Sequence, residues 1–290
     1  MAPIGMAISR GATASDIVDC VKLAESLGYE SAWVAEGHGG DQFSILSACA
    51  ATTSTIKLGT AISSVFVRSA PTIAMAAATV DDLSNGRFIL GLGSSHKVQV
   101  VPEHGVTYEK PIQRLRETVE VVRALLAEGV VSYQGETITI ENFDFWFEPR
   151  RAKIPIYVAG LFPKMTEICG EIADGIILTR STLKTATEIR RNLAVGAARV
   201  GRDPADIKLT SLLPTAVAEA FGKGDMEGAN RAVTDAMIDA TSVAGTPEQC
   251  RERIAAYRDS GIELPIISLF MRGGDAKARF EAAIRACAGA

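Results

Sequence analysis

The chain has 290 residues, 47% hydrophobic against 22% charged, which supplies apolar surface for a large core and excludes extensive disorder. A net charge of −4 offers no basic footprint for nucleic acid or an acidic membrane, so the expected partner is a small molecule. No apolar run approaches the roughly 20 residues that span a bilayer, and Met1-Ala2-Pro3-Ile4 lacks a basic leader, so a cytoplasmic protein is expected.

Along the chain, short β-branched runs alternate with longer segments of helical period, the pattern of βα units around a parallel sheet. Pro3–Ile8 is the first predicted strand. Ser15 is the expected N-cap of a helix whose stripe runs Ile17, Val21, Ala24 and Leu27 and stops at Gly28. Ser31–Ala35, Ile56–Ile62 and Phe88–Gly93 follow as strands, with helices over Phe43–Thr53 and Ala70–Ser84 between them. Ile112, Leu115, Val119, Val122 and Leu126 mark an amphipathic helix over about Pro111 to Ala127 that ends at Gly129. Val130–Tyr133 and Thr137–Ile140 flank Gln134-Gly135-Glu136 and predict a β-hairpin, an excursion from the βα rhythm.

Beyond it, Ile154–Val158, Gly175–Leu178, Lys208–Leu213 and Leu264–Phe270 complete eight strands. The helices there are expected at Lys164–Ile172, Leu183–Val200, Asp225–Thr241 and Ala276–Ala286. An extra helix opens at Thr246-Pro247-Glu248-Gln249, with Thr as N-cap, Pro at N1 and Gln at N3 closing a capping box. With no linker or repeat, residues 1–290 are expected to form one domain, either a (β/α)8 barrel or an open doubly wound sheet. Cys20, Cys49, Cys169, Cys250 and Cys287 make no CxxC pair and are expected as buried, reduced thiols.

In a closed parallel barrel, chemistry sits at the C-terminal ends of the strands, where the loops converge over a packed core. Two of the three histidines, His38 and His96, lie just past strand ends, and either could exchange a proton with a bound substrate. His104 is expected in a loop away from the strand ends. Glu36-x-His38 finds no second ligand cluster to complete a metal site, so no metal is expected. Gly91-x-Gly93 lacks the full dinucleotide fingerprint, but glycine there permits close approach by a flat ring or a phosphate. At Gly160-Leu161-Phe162-Pro163-Lys164 a strand turns into a helix whose free amides favour an anion, with Lys164 and Lys97 adding positive charge. Phe143, Phe145, Trp146 and Phe147 either pack against the barrel, the favoured reading, or cover the site.

These features recur in a recognisable order: Ala24-Glu25-Ser26-Leu27-Gly28-Tyr29, Trp33-Val34-Ala35-Glu36, Leu58-Gly59-Thr60, Leu83-Ser84-Asn85-Gly86-Arg87-Phe88 and Gly91-Leu92-Gly93. Tyr108-Glu109-Lys110-Pro111, Ile154-Pro155-Ile156-Tyr157, Glu171-Ile172-Ala173-Asp174-Gly175 and Gly245-Thr246-Pro247-Glu248-Gln249 continue it. Together they resemble the luciferase-like superfamily, and within it the deazaflavin-dependent branch typified by methylenetetrahydromethanopterin reductase. The resemblance implies a (β/α)8 barrel with a hairpin insertion after its fourth helix, a homodimer, and coenzyme F420, or alternatively FMN, at the barrel mouth. It implies a non-prolyl cis peptide at Ala61-Ile62 backing the central ring. It assigns cofactor contacts to Glu36, Ser64, Ser94, Ser95 and Gln99, and phosphate contacts to Gly160, Leu161, Phe162 and Lys164. His96, Glu36 and His38 are the candidates for moving a proton. Two departures stand out: His96 occupies a position where some relatives carry Glu, and Gly37 one where many carry His. Three functions remain open: an F420-dependent hydride transferase, an FMN monooxygenase, and a non-catalytic barrel that binds a flavin or a protein partner.

Overall fold

The computed structural model describes residues 2–179, 181–217, 240–270 and 275–290. Strands β1 (Gly5–Arg10), β2 (Ser31–Val34), β3 (Lys57–Thr60), β5 (Phe88–Gly93), β8 (Ile156–Ala159), β9 (Gly175–Thr179), β10 (Lys208–Val217) and β12 (Leu264–Phe270) pair in parallel. β10 joins both β9 and β12, and β12 joins β1, so the row returns on itself. The molecule is therefore a closed (β/α)8 barrel, and the open-sheet alternative is excluded.

The helices among the described residues are α1 (Ala14–Ser26), α2 (Gln42–Thr52), α3 (Ala70–Leu83), α4 (Lys97–His104), α5 (Pro111–Glu128), α6 (Pro163–Ile172), α7 (Thr185–Arg199), α8 (Pro247–Asp259) and α9 (Ala276–Cys287). The helix expected over Asp225–Thr241 falls outside the described residues except for its last two positions, which are helical. α8 starts in the predicted capping box, Thr246 with Gln249. α1 starts earlier than expected. Thr13, not Ser15, is its N-cap, because Thr13 and Asp16 exchange side-chain and backbone hydrogen bonds of 3.2 and 3.1 Å in a reciprocal box.

Antiparallel β6 (Val130–Gln134) and β7 (Thr139–Asp144) form the predicted hairpin, which follows α5 and stands outside the barrel. Two short strands were not foreseen: β4 (Ser63–Ser64), which pairs with β5, and β11 (Val243–Gly245), which pairs with β10. α4 also replaces an expected loop. Its Val98, Val100, Val101 and Pro102 are poor helix formers, and only Val100 of the segment is buried.

Aromatic rings close the barrel interior. Ala7, Trp33, Ile89, Tyr157, Ile177, Leu264 and Ile266 form an inner cluster, with the Trp33 and Tyr157 ring centroids 5.8 Å apart. Glycines make room for both rings. A Cβ on Gly59 would stand 2.4 Å from the Trp33 ring, and one on Gly175 would stand 2.7 Å from Tyr157. A barrel filled in this way is a packed core and not a pore, so a ligand can be held only at its end. The larger cluster lies between the barrel and the helices, and includes all five cysteine thiols as buried, unbridged groups.

Of the four aromatics around the end of the hairpin only two pack on the barrel, since Trp146 is 94% exposed and Phe147 also faces solvent, and none of the four lines the mouth. Phe143 and Phe145 lean on the core, and the Phe145 amide donates to the Gly129 carbonyl at the C-terminal end of α5. Arg151 donates to the Phe88 carbonyl at the start of β5, which places this segment at the pole opposite the strands' C-terminal ends.

Candidate active site

The mouth is built where β2, β3 and β5 run out. β2 delivers Ala35, Glu36, Gly37 and His38. β3 passes through a cis peptide bond between Ala61 and Ile62 into β4, whose two residues pair with Leu92 and Gly93. The cis bond stands where the resemblance placed it. Thr60 Oγ1 donates to the Gly91 carbonyl and accepts from its amide, both at 2.8 Å, so β3 and β5 are clamped at the end of β3. A Cβ on Gly93 would come within 2.8 Å of Ile62 Cγ1 and 3.3 Å of Ala159 Cβ. Ile62 is thus a close neighbour of the end of β8, and the Ala61-Ile62 segment shares its pole with Gly160, Leu161 and Phe162.

A cleft of about 420 Å³ opens here, lined by Ser9, Gly11, Ala35, Glu36, Gly37, His38, Gly39, Ser64, Val67, Ser95, Gln99, Val100, Glu103 and His104. Of the residues singled out from sequence, it gathers Glu36, His38, Ser64, Ser95 and Gln99. Ala61, Ile62, Ser94, Gly160, Leu161, Phe162 and Lys164 stand on the same rim outside its lining. His96 is the exposed N-cap of α4, and its side chain makes no capping hydrogen bond. Ser95 holds φ at +55°, a conformation uncommon for a residue with a Cβ, and its carbonyl accepts from the Tyr108 hydroxyl at 3.3 Å.

His104 departs from expectation most. It is the last residue of α4 and lines the cleft, because one face of that helix presents Gln99, Val100, Glu103 and His104 at i, i+1, i+4 and i+5. Glu103 was not singled out from sequence. Its carboxylate lies 3.2 Å from His38 Nε2, joining the loop after β2 to α4 across the cleft. Both side chains are exposed, so this pair contributes about 0–1 kcal/mol to stability.

Glu36 is more firmly held. Its Oε1 accepts from Arg68 Nε at 2.5 Å, and its Oε2 accepts from the Ser64 amide at 2.8 Å and from Ser63 Oγ at 3.4 Å. Arg68 also donates to Asp41, the N-cap of α2, and lies 5.1 Å over the Phe43 ring. Partial burial works against the Asp41 carboxylate, but the Ser44 amide and the Arg68 guanidinium outweigh it and hold its pKa below the ordinary range. Arg68 and Asp41 carry no motif that would have marked them in the sequence.

The start of α6 suits an anion. Phe162 is its N-cap and makes no side-chain capping bond, Pro163 takes N1, and Leu161, Phe162 and Lys164 are exposed. Amides in the first turn of such a helix, with the positive end of its dipole, bind phosphate or carboxylate. A flat ring over Ala61-Ile62 with a phosphorylated tail toward α6 fits the donors present. Among the described residues no three His, Cys, Asp or Glu side chains stand close enough to hold a metal ion.

The model of the luciferase-like monooxygenase family matches residues 1–220 and 219–264. A 5,10-methylenetetrahydromethanopterin reductase from Archaeoglobus fulgidus is 31% identical, over 83% of this chain and 86% of its own. Among solved structures, the coenzyme F420 dependent tetrahydromethanopterin reductase from Methanopyrus kandleri superposes with a TM-score of 0.84 at 24% identity over 97% of both chains. A monooxygenase from Streptomyces bottropensis superposes with a TM-score of 0.80 at 22% identity, covering 99% of this chain and 98% of that one. With a family model matched over most of its length and a relative 31% identical across the barrel, this chain belongs to the luciferase-like monooxygenase family.

Proposed function

We propose that residues 1–290 form a single-domain oxidoreductase that binds coenzyme F420 at the barrel mouth and transfers hydride between the reduced deazaflavin and a small organic substrate. The observation that carries this reading is the 31% identity to a methylenetetrahydromethanopterin reductase over most of both chains. When bound, the deazaflavin would supply the hydride donor and acceptor. The chain's own groups orient it: Ala61 and Ile62 back the ring, Ser64, Ser94, Ser95 and Gln99 meet its polar edge, and Gly160, Leu161, Phe162 and Lys164 grip the phosphate. Orientation is the main contribution asked of the protein, since holding two reactants in register removes most of the entropic barrier.

Of the proton candidates, Glu36 has both oxygens committed to Arg68, Ser63 and Ser64. His38 lies on the cleft wall with Glu103 at 3.2 Å to orient its ring, whereas His96 is outside the lining. We assign the proton to His38, at Nδ1 or Nε2 according to tautomer. No helix among the described residues is long and apolar enough to cross a membrane. A cytoplasmic homodimer completes the proposal, and light scattering on the purified protein tests the dimer.

Titration with F420 and FMN tests the cofactor. F420 is expected to raise Tm, adding about 2.7 kcal/mol at about 100 times its Kd. Binding of FMN with oxygen uptake by the reduced complex would establish the monooxygenase instead, and no effect from either cofactor would leave the non-catalytic barrel.

A further inference from the structure

Two carboxylates, Glu36 and Glu103, line a cleft at the same rim as the start of α6, where the cofactor reading above puts the phosphate of an anionic ligand. A bare carboxylate on that wall would repel it, and a partly buried charge is poorly screened by salt. We infer that Arg68 is the positioning residue that makes Glu36 compatible with an anionic ligand, neutralising it while aiming its free oxygen at the backbone that shapes the cleft.

The geometry supports both halves of that role. The Glu36 and Arg68 side chains are 16% and 22% exposed, so their contact at 2.5 Å is largely shielded from water. The guanidinium forks between carboxylates on two elements, Glu36 at the end of β2 and Asp41 at the N-cap of α2, while the Phe43 face supports it from below. Arg68 itself lies between β4 and α3, one residue before Ser69, the N-cap of α3. With Oε1 taken by Arg68, Oε2 is turned to the Ser64 amide. That bond fixes Ser64, a residue of the cleft wall two positions beyond the Ala61-Ile62 peptide. A lysine could neutralise one carboxylate but could not span both, because its ammonium is a point charge without a planar fork.

The inference rests on the F420 reading, and the experiment separates the two. Fluorescence titration of F420 is run on the full chain as wild type, Arg68→Gln, Arg68→Lys, Glu36→Gln and the double variant E36Q/R68Q, at about pH 7.5. Loss of the guanidinium leaves Glu36 an uncompensated anion. Arg68→Gln is therefore expected to bind F420 about tenfold or more weakly than wild type. The double variant, in which position 36 carries no charge for Arg68 to offset, is expected to regain most of that loss, and Arg68→Lys to fall between wild type and Arg68→Gln. His38, Glu103 and His104 face the same cleft and Asp41 faces Arg68, but all four are the same in Arg68→Gln and in the double variant, so the difference between those two isolates Glu36. Thermal unfolding accompanies each titration. If Arg68→Gln fails to fold while E36Q/R68Q folds and binds, charge compensation is equally supported. Wild-type affinity in Arg68→Gln, or a double variant that binds no better than the single one, overturns the inference and leaves the F420 reading intact. If the wild type binds no F420, the cofactor reading falls and this inference with it.

Discussion

At the scale of single residues, the interior of the barrel is a problem of volume. Trp33 and Tyr157 fill it, and each ring presses on a glycine across the strands. The added methyl of Gly59→Ala would stand 2.4 Å from the Trp33 ring, a distance that forces one of two buried strands to move. The expected cost is about 2–3 kcal/mol, measured by urea unfolding, and truncating the ring opposite in a Trp33→Leu, Gly59→Ala double variant should recover part of it. Strict additivity of the two changes would contradict the packing argument. The cysteines are governed by burial too. All five are 0% exposed, and burial pushes the Cys20 and Cys49 thiols up to about 12. A thiol-specific disulfide reagent should therefore modify none of them in the native protein and all five after denaturation, and rapid native labelling would refute the burial.

Among elements, a buried carboxylate gathers the turn of the hairpin insertion onto α5. Glu117 on α5 is 1% exposed and accepts from the amides of Glu136, Thr137 and Ile138, the Thr137 hydroxyl and Gln113 Nε2, at 2.6–2.8 Å. Burial opposes the charge, but these donors outweigh it and bring the pKa from 4.5 down to about 2. A depressed folded pKa stabilises the protein above the unfolded value. Glu117 thus contributes about 3 kcal/mol that is fully present above pH 4.5 and lost as pH falls toward 2. Glu117→Gln should lower stability by a comparable amount at neutral pH, and its difference from wild type should vanish in acid denaturation below that window. A difference that persists in acid would assign the effect to packing. Arg87 plays the equivalent part between α2 and β3, donating to the carbonyls of Ala50, Thr53 and Ile56. This gives Arg87, which the sequence marks by resemblance, a physical task in closing the C-terminal end of α2.

For the whole molecule, closure decides where chemistry can occur. Once β12 pairs with β1 and β9 with β10, each of the eight barrel strands has a partner on both sides, and a cleft of about 420 Å³ opens at the strands' C-terminal pole. The same closure brings distant segments together: the Tyr29 hydroxyl donates to the Ile284 carbonyl of α9 at 2.8 Å, and Arg258 reaches both the Pro3 and the Ala290 carbonyls.

The eight barrel strands, the long helices and the hairpin were legible in the sequence, because hydrophobic period and capping chemistry are local properties. Thr246-Pro247-Glu248-Gln249 specifies its own helix start, and Phe88–Gly93 is buried at all six positions as a continuous apolar run should be. Local pattern failed where tertiary contact outweighs propensity. α4 forms from valines and a proline at the barrel mouth, and β4 and β11 are too short to show a period. The site divides in the same way. Glu36, His38, Ser64, Ser95 and Gln99 were accessible because strand ends and a resemblance point to them. Glu103, His104, Asp41 and Arg68 were not, since their part in the mouth depends on which groups face them across 27 to 65 residues of chain. Sequence alone determined the βα rhythm and the pole at which the candidate site lies. Only the closed tertiary structure decided which charges meet there, because a charge acquires its role from neighbours in space and not from those along the chain.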